Sequence, residues 1–448
     1  MIFDLLNRKY CNLFYDTRFS EILTGSAWAL CARVIATGLG FVFSIFVARL
    51  YGAEIVGIVA VINSFLILAT TFTVMGTQTS ILRLIPEHLA KYSATSAFKI
   101  YRKTQYLVIT SSIIMGFIFF FADDIIANKI FLKPKLSIYI GVVSFFIIFR
   151  SIMLLVSQAI RGFRMIKIYA LMQFIPQLIN LVFLILISLL CPCQGTPIYA
   201  ILSGPFMTSI IGCYIMEIIF KKRMHPTDNV HFTSSRDILA ISLPMLMTST
   251  MTFLISQAGV IMLGMFRAES EVGYYAIATK MAMLTTFIFS AVTSMAGPKF
   301  SELFYGNKMG ELFQVARKAA KLIFFTSTPI LLCLLIFGKA ILSIVFGNDF
   351  AIAYSALVFL VIGQFFNAIS GSAGIFMNMT GNQNALKNIM LITACLNLIL
   401  NCCLIPYYGI KGAAIAVMIS LILWNIITVV YIKRKYGKII CYFPAVFS

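Results

Sequence analysis

The chain has 448 residues, 60% hydrophobic and 11% charged, with a formal net charge of +20. A soluble domain carries roughly 25% charged residues, so no soluble core could absorb this much apolar surface. The composition excludes a water-soluble enzyme or regulatory module and points to an all-α, polytopic membrane protein.

The opening segment is polar, with Asp4, Arg8, Lys9, Asp16, Arg18 and Glu21. The apolar run after it is too long for a signal-peptide core, so no cleaved leader is expected. From residue 25 onward apolar runs recur, each long enough to cross a hydrocarbon core of about 30 Å. They predict twelve helices, at 25–48, 55–78, 104–122, 137–160, 168–190, 197–219, 238–264, 272–297, 319–337, 352–378, 388–406 and 411–432. A β-barrel would need segments of about ten residues alternating apolar with polar, and runs such as 178–190 do not alternate.

An N-terminus on the cytoplasmic side puts 25 of the 35 Lys and Arg in inner segments or at inner helix ends and 7 in outer loops or at outer helix ends. By the positive-inside rule both termini are then cytoplasmic. The charge is explained by anionic inner-leaflet lipid, and no nucleic-acid partner is needed. The ten cysteines are scattered, most inside apolar runs. Cys191 and Cys193 flank Pro192 with no His nearby, and His88, His225 and His231 fall in polar stretches, so neither a metal site nor a cofactor is expected.

The two halves look alike. ARLYGAEIVGIVAV (48–61) and GMFRAESEVGYYAI (264–277) each leave a first helix, cross a short outer loop and enter the next through Val-Gly, with Gly57 and Gly273 offset by 216. Two parallel six-helix repeats follow, an N-terminal lobe at 1–220 and a C-terminal lobe at 237–448, joined by a cytoplasmic linker at 221–236. Such a pseudo-symmetric pair suits alternating access around a central cavity.

Polar residues fall on single helix faces: Ser26, Arg33, Thr37, Gly40 and Ser44 in the first span, and Asn63, Thr70, Thr73 and Thr77 in the second. Further stripes carry Ser249 and Thr252 in the seventh span, Thr279 beside Lys280 in the eighth, and Gln364 and Asn367 in the tenth. Each fits either cavity lining or interhelical hydrogen bonding. The charges discriminate better, because only Arg33, Arg150 and Lys280 lie deep in spans and no Asp or Glu accompanies them. A mid-membrane cation costs about 2.5–3.5 kcal/mol on insertion scales. If all three face inward, they form staggered cationic rungs suited to an anion. Prolines 176, 205, 244 and 329 and the small-residue run 370–374 are candidate hinges.

Several segments carry a family resemblance: ARLYGAEIVGIVAV, RGFRMIKIYA (161–170), VGYYAIATK (272–280), GPKFSELFYGNKMGELFQVARKAAKL (297–322), NMTGNQN (378–384) and IPYYGIKGAAIAVMIS (405–420). In their order the chain resembles the polysaccharide (O-antigen) flippases of the multidrug/oligosaccharidyl-lipid/polysaccharide exporter superfamily. The resemblance implies two six-helix lobes in a V and basic cavity residues on the first and eighth helices, where Arg33 and Lys280 stand. It further implies transport of an undecaprenyl-diphosphate-linked oligosaccharide across a bacterial inner membrane, without enzymatic chemistry, beside other polysaccharide-assembly proteins. Related peptidoglycan-precursor flippases usually carry two further helices, so twelve spans favour the O-antigen branch.

Two other functions compete. A multidrug or cation antiporter of the same superfamily would want a carboxylate in its cavity. A membrane polysaccharide polymerase or glycosyltransferase would want a long outer loop or a catalytic carboxylate cluster, and the longest outer stretches, 123–136 and 338–351, supply neither.

Overall fold

The computed structural model describes residues 17–190, 193–223 and 234–442. Helices in chain order are α1 (Thr17–Val74), α2 (Thr77–Lys91), α3 (Ala94–Phe121), α4 (Lys135–Gly162), α5 (Ile166–Leu190), α6 (Thr196–Arg223) and α7 (Ser235–Phe266). They continue as α8 (Glu269–Ala282), α9 (Thr286–Tyr305), α10 (Met309–Phe346), α11 (Tyr354–Ser370), α12 (Ala373–Met379) and α13 (Gln383–Tyr436). No β-strand occurs among the described residues.

At about 1.5 Å per residue, 58 residues of α1 would run about 87 Å, far beyond a bilayer. The helix instead folds back at Gly52, and α13 does the same at Gly409, where φ is 78° and 53° respectively. A side chain is strained at such angles, and glycine is not. Among the described residues ten helical stretches are long and apolar enough to cross a membrane, and these two turns make double passes of two of them. The result is the twelve-pass, all-α architecture expected from sequence, with turns at 52 and 409 at one end. The linker side and the C-terminal Lys433, Arg434 and Lys435 lie at the other, the basic end.

Several boundaries differ from the predicted ones. The first basic-end loop holds α2, an amphipathic helix that buries Ile81, Leu84 and Ile85 and exposes Arg83. It is too short and too charged to read as a span. His88, expected in a polar loop, sits buried on its apolar face with Nδ1 3.2 Å from the Ser96 hydroxyl. His225, His231 and Cys191 lie outside the described residues, as does most of the predicted linker. Helix α10 starts ten residues before the predicted 319, because Leu312, Phe313 and Ala316 already form a buried stripe, and it runs through most of the expected loop at 338–351. Helices continue through prolines 176, 205, 244 and 329. Breaks fall at a 3-10 turn over Met283–Thr285, which was not expected, and within the expected small-residue run at Gly371, where α11 passes so near α10 that an added Cβ would lie 2.5 Å from that of Ala320.

The two six-span halves share one apolar core toward the turn end, built from residues such as Val47, Ile62, Leu263, Ile277 and Leu357. Toward the basic end the core divides. One cluster holds α2, α3, α4 and α6 together around Tyr101 and Phe220, and another holds α9, α10, α12 and α13 around Phe300 and Phe376. Sharing one core at the turn end and holding two cores at the other, the halves form a V whose wider end is still bridged by α7. The base of α7 crosses to the first half, where Ser242 and Ser80 hydroxyls lie 2.6 Å apart.

At the turn end the halves meet backbone to backbone. A Cβ on Gly57 would sit 1.8 Å from the Glu269 carbonyl oxygen, and one on Gly273 would sit 2.2 Å from that of Ala53. The two glycines that share the repeat offset therefore pack against each other, as small residues do where membrane helices cross closely. Around this crossing Arg49 Nε donates to the Val345 carbonyl at 3.1 Å, and its guanidinium also reaches that of Ile344. Arg267 donates to the carbonyls of Ile405 and Pro406 at 3.3 and 2.7 Å. Lys133 donates to the Arg267 carbonyl at 2.7 Å and lies 3.7 Å from Glu269. Burial pushes the Lys133 ammonium below its ordinary range, against the pull of Glu269.

Gly57→Ala and Gly273→Ala are each expected to destabilise the purified protein by about 1–3 kcal/mol through overpacking. Gly310→Ala, where nothing lies within 4 Å of an added Cβ, is the matched control and should be neutral or mildly stabilising. Thermal unfolding in detergent measures both.

Candidate functional site

A cavity of about 480 Å³ lies between the halves, below the glycine crossing. Both arms of α1 contribute, with Gly40 and Ser44 from the first and Asn63 and Ser64 from the second. Helix α4 adds Arg150, Ser157 and Gln158; α5 adds Gln173, Gln177 and Asn180; α7 adds Ser256 and Gln257; α8 adds Thr279 and Lys280. Gly40 and Ser44, and Gln173, Gln177 and Asn180, recur at three- and four-residue spacing, which puts each set on one helix face. No Asp or Glu belongs to the wall.

The Lys280 ammonium donates to the Gly40 carbonyl and the Ser44 hydroxyl, each at 2.5 Å, and stands 5.3 Å from the centre of the Phe41 ring. Ser44 in turn donates to the Gly40 carbonyl at 3.0 Å. Arg150 is held more loosely. One terminal nitrogen donates to Asn63 Oδ1 at 3.3 Å, while its Nε is buried with no hydrogen-bond partner. Gln158 Oε1 and Thr279 Oγ1, on the same wall, are likewise buried and unpartnered. A guanidinium brings five N–H donors in a planar fork that matches carboxylate or phosphate oxygens, so the wall holds unspent hydrogen-bonding capacity of both signs.

Other wall groups are committed to structure. Ser64 donates to Gln257 Oε1 at 2.8 Å, and Asn180 Oδ1 accepts from the Gly204 backbone N–H at 2.9 Å, beside Pro176 and Pro205. The 3-10 turn at Met283–Thr285 begins three residues after Lys280, so this wall ends in a joint rather than a continuous helix. Among the described residues no cluster of His, Cys, Asp and Glu could hold a metal ion.

The structure brings together two of the three deep cations expected from sequence. Arg33 does not line the cavity; it is exposed, seven residues from Gly40 toward the basic end. Seven residues make nearly two full turns, about 10 Å, so Arg33 continues the same helical face below the chamber. Of the polar residues expected to line the cavity, Asn63 does. Thr70 turns its hydroxyl to the carbonyls of Leu66 and Ile67, Ser249 to that of Met245 and Thr252 to that of Thr248, all within their own helices. Gln364 accepts from Asn367, whose Oδ1 lies 3.4 Å from Asn425 Nδ2, an amide chain among α11 and α13. Thr37 is half-buried on the first arm of α1 and is not part of this wall. The sequence reading missed Gln158, Gln173, Gln177 and Asn180. Their signal was available, because positions 173, 177 and 180 form an amide stripe at helical spacing.

Residues 22–304 match the family described as polysaccharide biosynthesis protein, and residues 244–403 match the family MatE. The first match takes in more than half of the sequence. The chain belongs to the polysaccharide biosynthesis protein family. That membership bears out the resemblance drawn from its motifs. Among curated relatives, a probable low-salt glycan biosynthesis flippase, Agl15 of Haloferax volcanii, is 26% identical over 248 residues, covering 54% of this chain and 51% of the relative. A capsular polysaccharide biosynthesis protein, CapF of Staphylococcus aureus, is 22% identical over 50% of this chain and 56% of its own. The chain thus spans about half the length of these two relatives. The solved structure of a lipid II flippase, MurJ, in an inward closed conformation superposes with a TM-score of 0.74 at 16% identity, covering 92% of this chain and 87% of that one. At that identity it fixes the fold, a MATE-like membrane bundle.

In this family member Arg150 is half-buried, with its Nε enclosed and unpartnered, an arrangement that costs stability. Arg150→Met keeps the bulk and removes the charge, so its unfolding temperature in detergent should equal or exceed that of the native protein. A loss of several degrees would mean that the guanidinium is structural.

Proposed function

We propose that the protein flips a lipid-linked oligosaccharide whose link is an anionic phosphate. The observation that carries this reading is a wall with two cations, Arg150 and Lys280, many amides and hydroxyls, and no carboxylate. A diphosphate finds its counter-charge in the guanidinium and ammonium. The sugar finds donors and acceptors in Gln158, Gln173, Gln177 and their neighbours. The lipid tail stays in the bilayer while the headgroup passes between the halves. No bond is made or broken, so the protein acts as a transporter rather than an enzyme.

The finer form of the proposal names undecaprenyl diphosphate as carrier and an O-antigen or other surface-polysaccharide unit as cargo, moved to the outer leaflet of a bacterial inner membrane. The basic end, with both termini, is then cytoplasmic. Residues 1–220 and 237–448 act as the two moving lobes. Arg33, exposed below the chamber on the face that carries Gly40 and Ser44, meets the headgroup on its way in. A cation antiporter of the same superfamily is disfavoured by the wall itself, which would repel a cation.

The test is flipping of a defined undecaprenyl-diphosphate-linked oligosaccharide in proteoliposomes. Lys280→Met and Arg150→Met should each slow it at least about tenfold, the equivalent of about 1.4 kcal/mol of lost interaction. Arg33→Ala should slow it several-fold, and a phosphate-free lipid-linked glycan should not move. Native rates in both cavity variants would overturn the proposal.

A further inference from the structure

We propose that the two cavity cations engage the headgroup in a fixed order, Arg150 first and Lys280 second, and that transfer of Lys280 from α1 to phosphate oxygens unclasps α8 from α1. The inference rests on the function proposed above and adds a step that the presence of two positive charges does not by itself imply.

The cations differ in what they already hold. Lys280 spends two of its three donors on the Gly40 carbonyl and the Ser44 hydroxyl, with Phe41 beside it. The Ser44 to Gly40 hydrogen bond closes the acceptor pair into a small ring on the first arm of α1. Arg150 has a single bond of 3.3 Å to Asn63 and an Nε with no partner. An arriving anion can therefore use the unpartnered guanidinium donors of Arg150 at once, while Lys280 has one donor left and must exchange its α1 acceptors to give the anion more.

The displacement is favourable in direction. Gly40 and Ser44 are neutral acceptors, and a phosphate oxygen adds to the hydrogen bond the attraction of a full opposite charge that they lack. A diphosphate held on Arg150 lies in the same chamber as Lys280. Its second phosphate is at high effective concentration against a weaker competitor.

The position of the clasp gives the exchange its consequence. Near the turn end α8 is fixed against the second arm of α1 by Gly57 and Gly273. Lys280 lies seven residues further along, about two turns, and ties α8 to the other arm of α1. Directly beyond it the helix gives way to the 3-10 turn at Met283–Thr285. Releasing Lys280 therefore frees α8 between a fixed crossing and a joint, and the halves can then tilt about the glycines.

The experiment measures energy transfer between fluorophores on non-canonical residues at positions 106 and 305, where exposed Tyr106 and Tyr305 lie in opposite halves. Inorganic pyrophosphate is the titrant, and thermal unfolding reports binding in parallel. In the native protein pyrophosphate should raise the unfolding temperature and change the transfer efficiency, with sodium chloride at equal ionic strength doing neither. Ser44→Ala weakens the clasp with little structural cost and should shift the distance response to several-fold lower pyrophosphate. Lys280→Met should show the changed distance without ligand yet still be stabilised by pyrophosphate, and Arg150→Met should show neither response. Stabilisation of the native protein without a distance change, or a ligand-free Lys280→Met distance equal to the native one, overturns the clasp and leaves the proposed function standing. Absence of any pyrophosphate stabilisation overturns both.

Discussion

Two helix backbones in contact at Gly57 and Gly273 set how the rest of this bundle can be arranged. Dispersion between closely approached helices is a main source of adhesion in lipid, where burial of apolar side chains gives little. Because the contact lies near the start of both the second arm of α1 and α8, it gathers the halves at the turn end. Arg49, Arg267 and Lys133 reinforce the same end with hydrogen bonds to carbonyls. Beyond the crossing the shared core ends and separate cores begin, and the cavity occupies the angle between them. A pivot, a chamber and two levers are thus consequences of one close approach.

The chamber concentrates positive potential where the bilayer disfavours it most. Each deep cation carries an insertion cost of about 2.5–3.5 kcal/mol, and the wall supplies no carboxylate to offset it. Partial compensation comes from neutral oxygens, at Gly40 and Ser44 for Lys280 and at Asn63 for Arg150. Neutral oxygens lower the cost without cancelling the field. A site arranged in this way stays attractive to an anion while remaining tolerable without one, as the proposed take-up and release of an anionic headgroup requires.

The outline of the fold was legible in the sequence because its determinants are local. Apolar runs of sufficient length give the passes, and the repeated Val-Gly pair that marks the two similar halves falls on both sides of the crossing. Arg150, Lys280 and Asn63 could be picked out because a guanidinium, an ammonium or a carboxamide deep in a span has no good partner within its own helix. Serine and threonine differ. Thr70, Ser249 and Thr252 return their hydroxyls to carbonyls three or four residues back, so a stripe of such residues fits a cavity wall and a lipid-facing surface equally well. The amide stripe on α5 carried better information than any of them. Arg33 shows a different limit, since periodicity fixes the face of a helix but not where along that face a chamber ends. The small-residue run 370–374 flagged the helix break at Gly371, whereas the joint at Met283–Thr285 carries no glycine or proline that would mark it locally.

The position of Arg49 bears on how the protein is built. The last carbonyls of a helix have no partners within it, and leaving them bare near lipid is expensive. Those of Ile344 and Val345 at the end of α10 are met by a guanidinium that leaves the ribosome almost three hundred residues earlier. The terminus of α10 is therefore completed by the first half, which is already synthesised when α10 emerges. Vectorial synthesis and native assembly run in the same direction here: the earlier half serves as a template on which the later one closes its own unfinished helix.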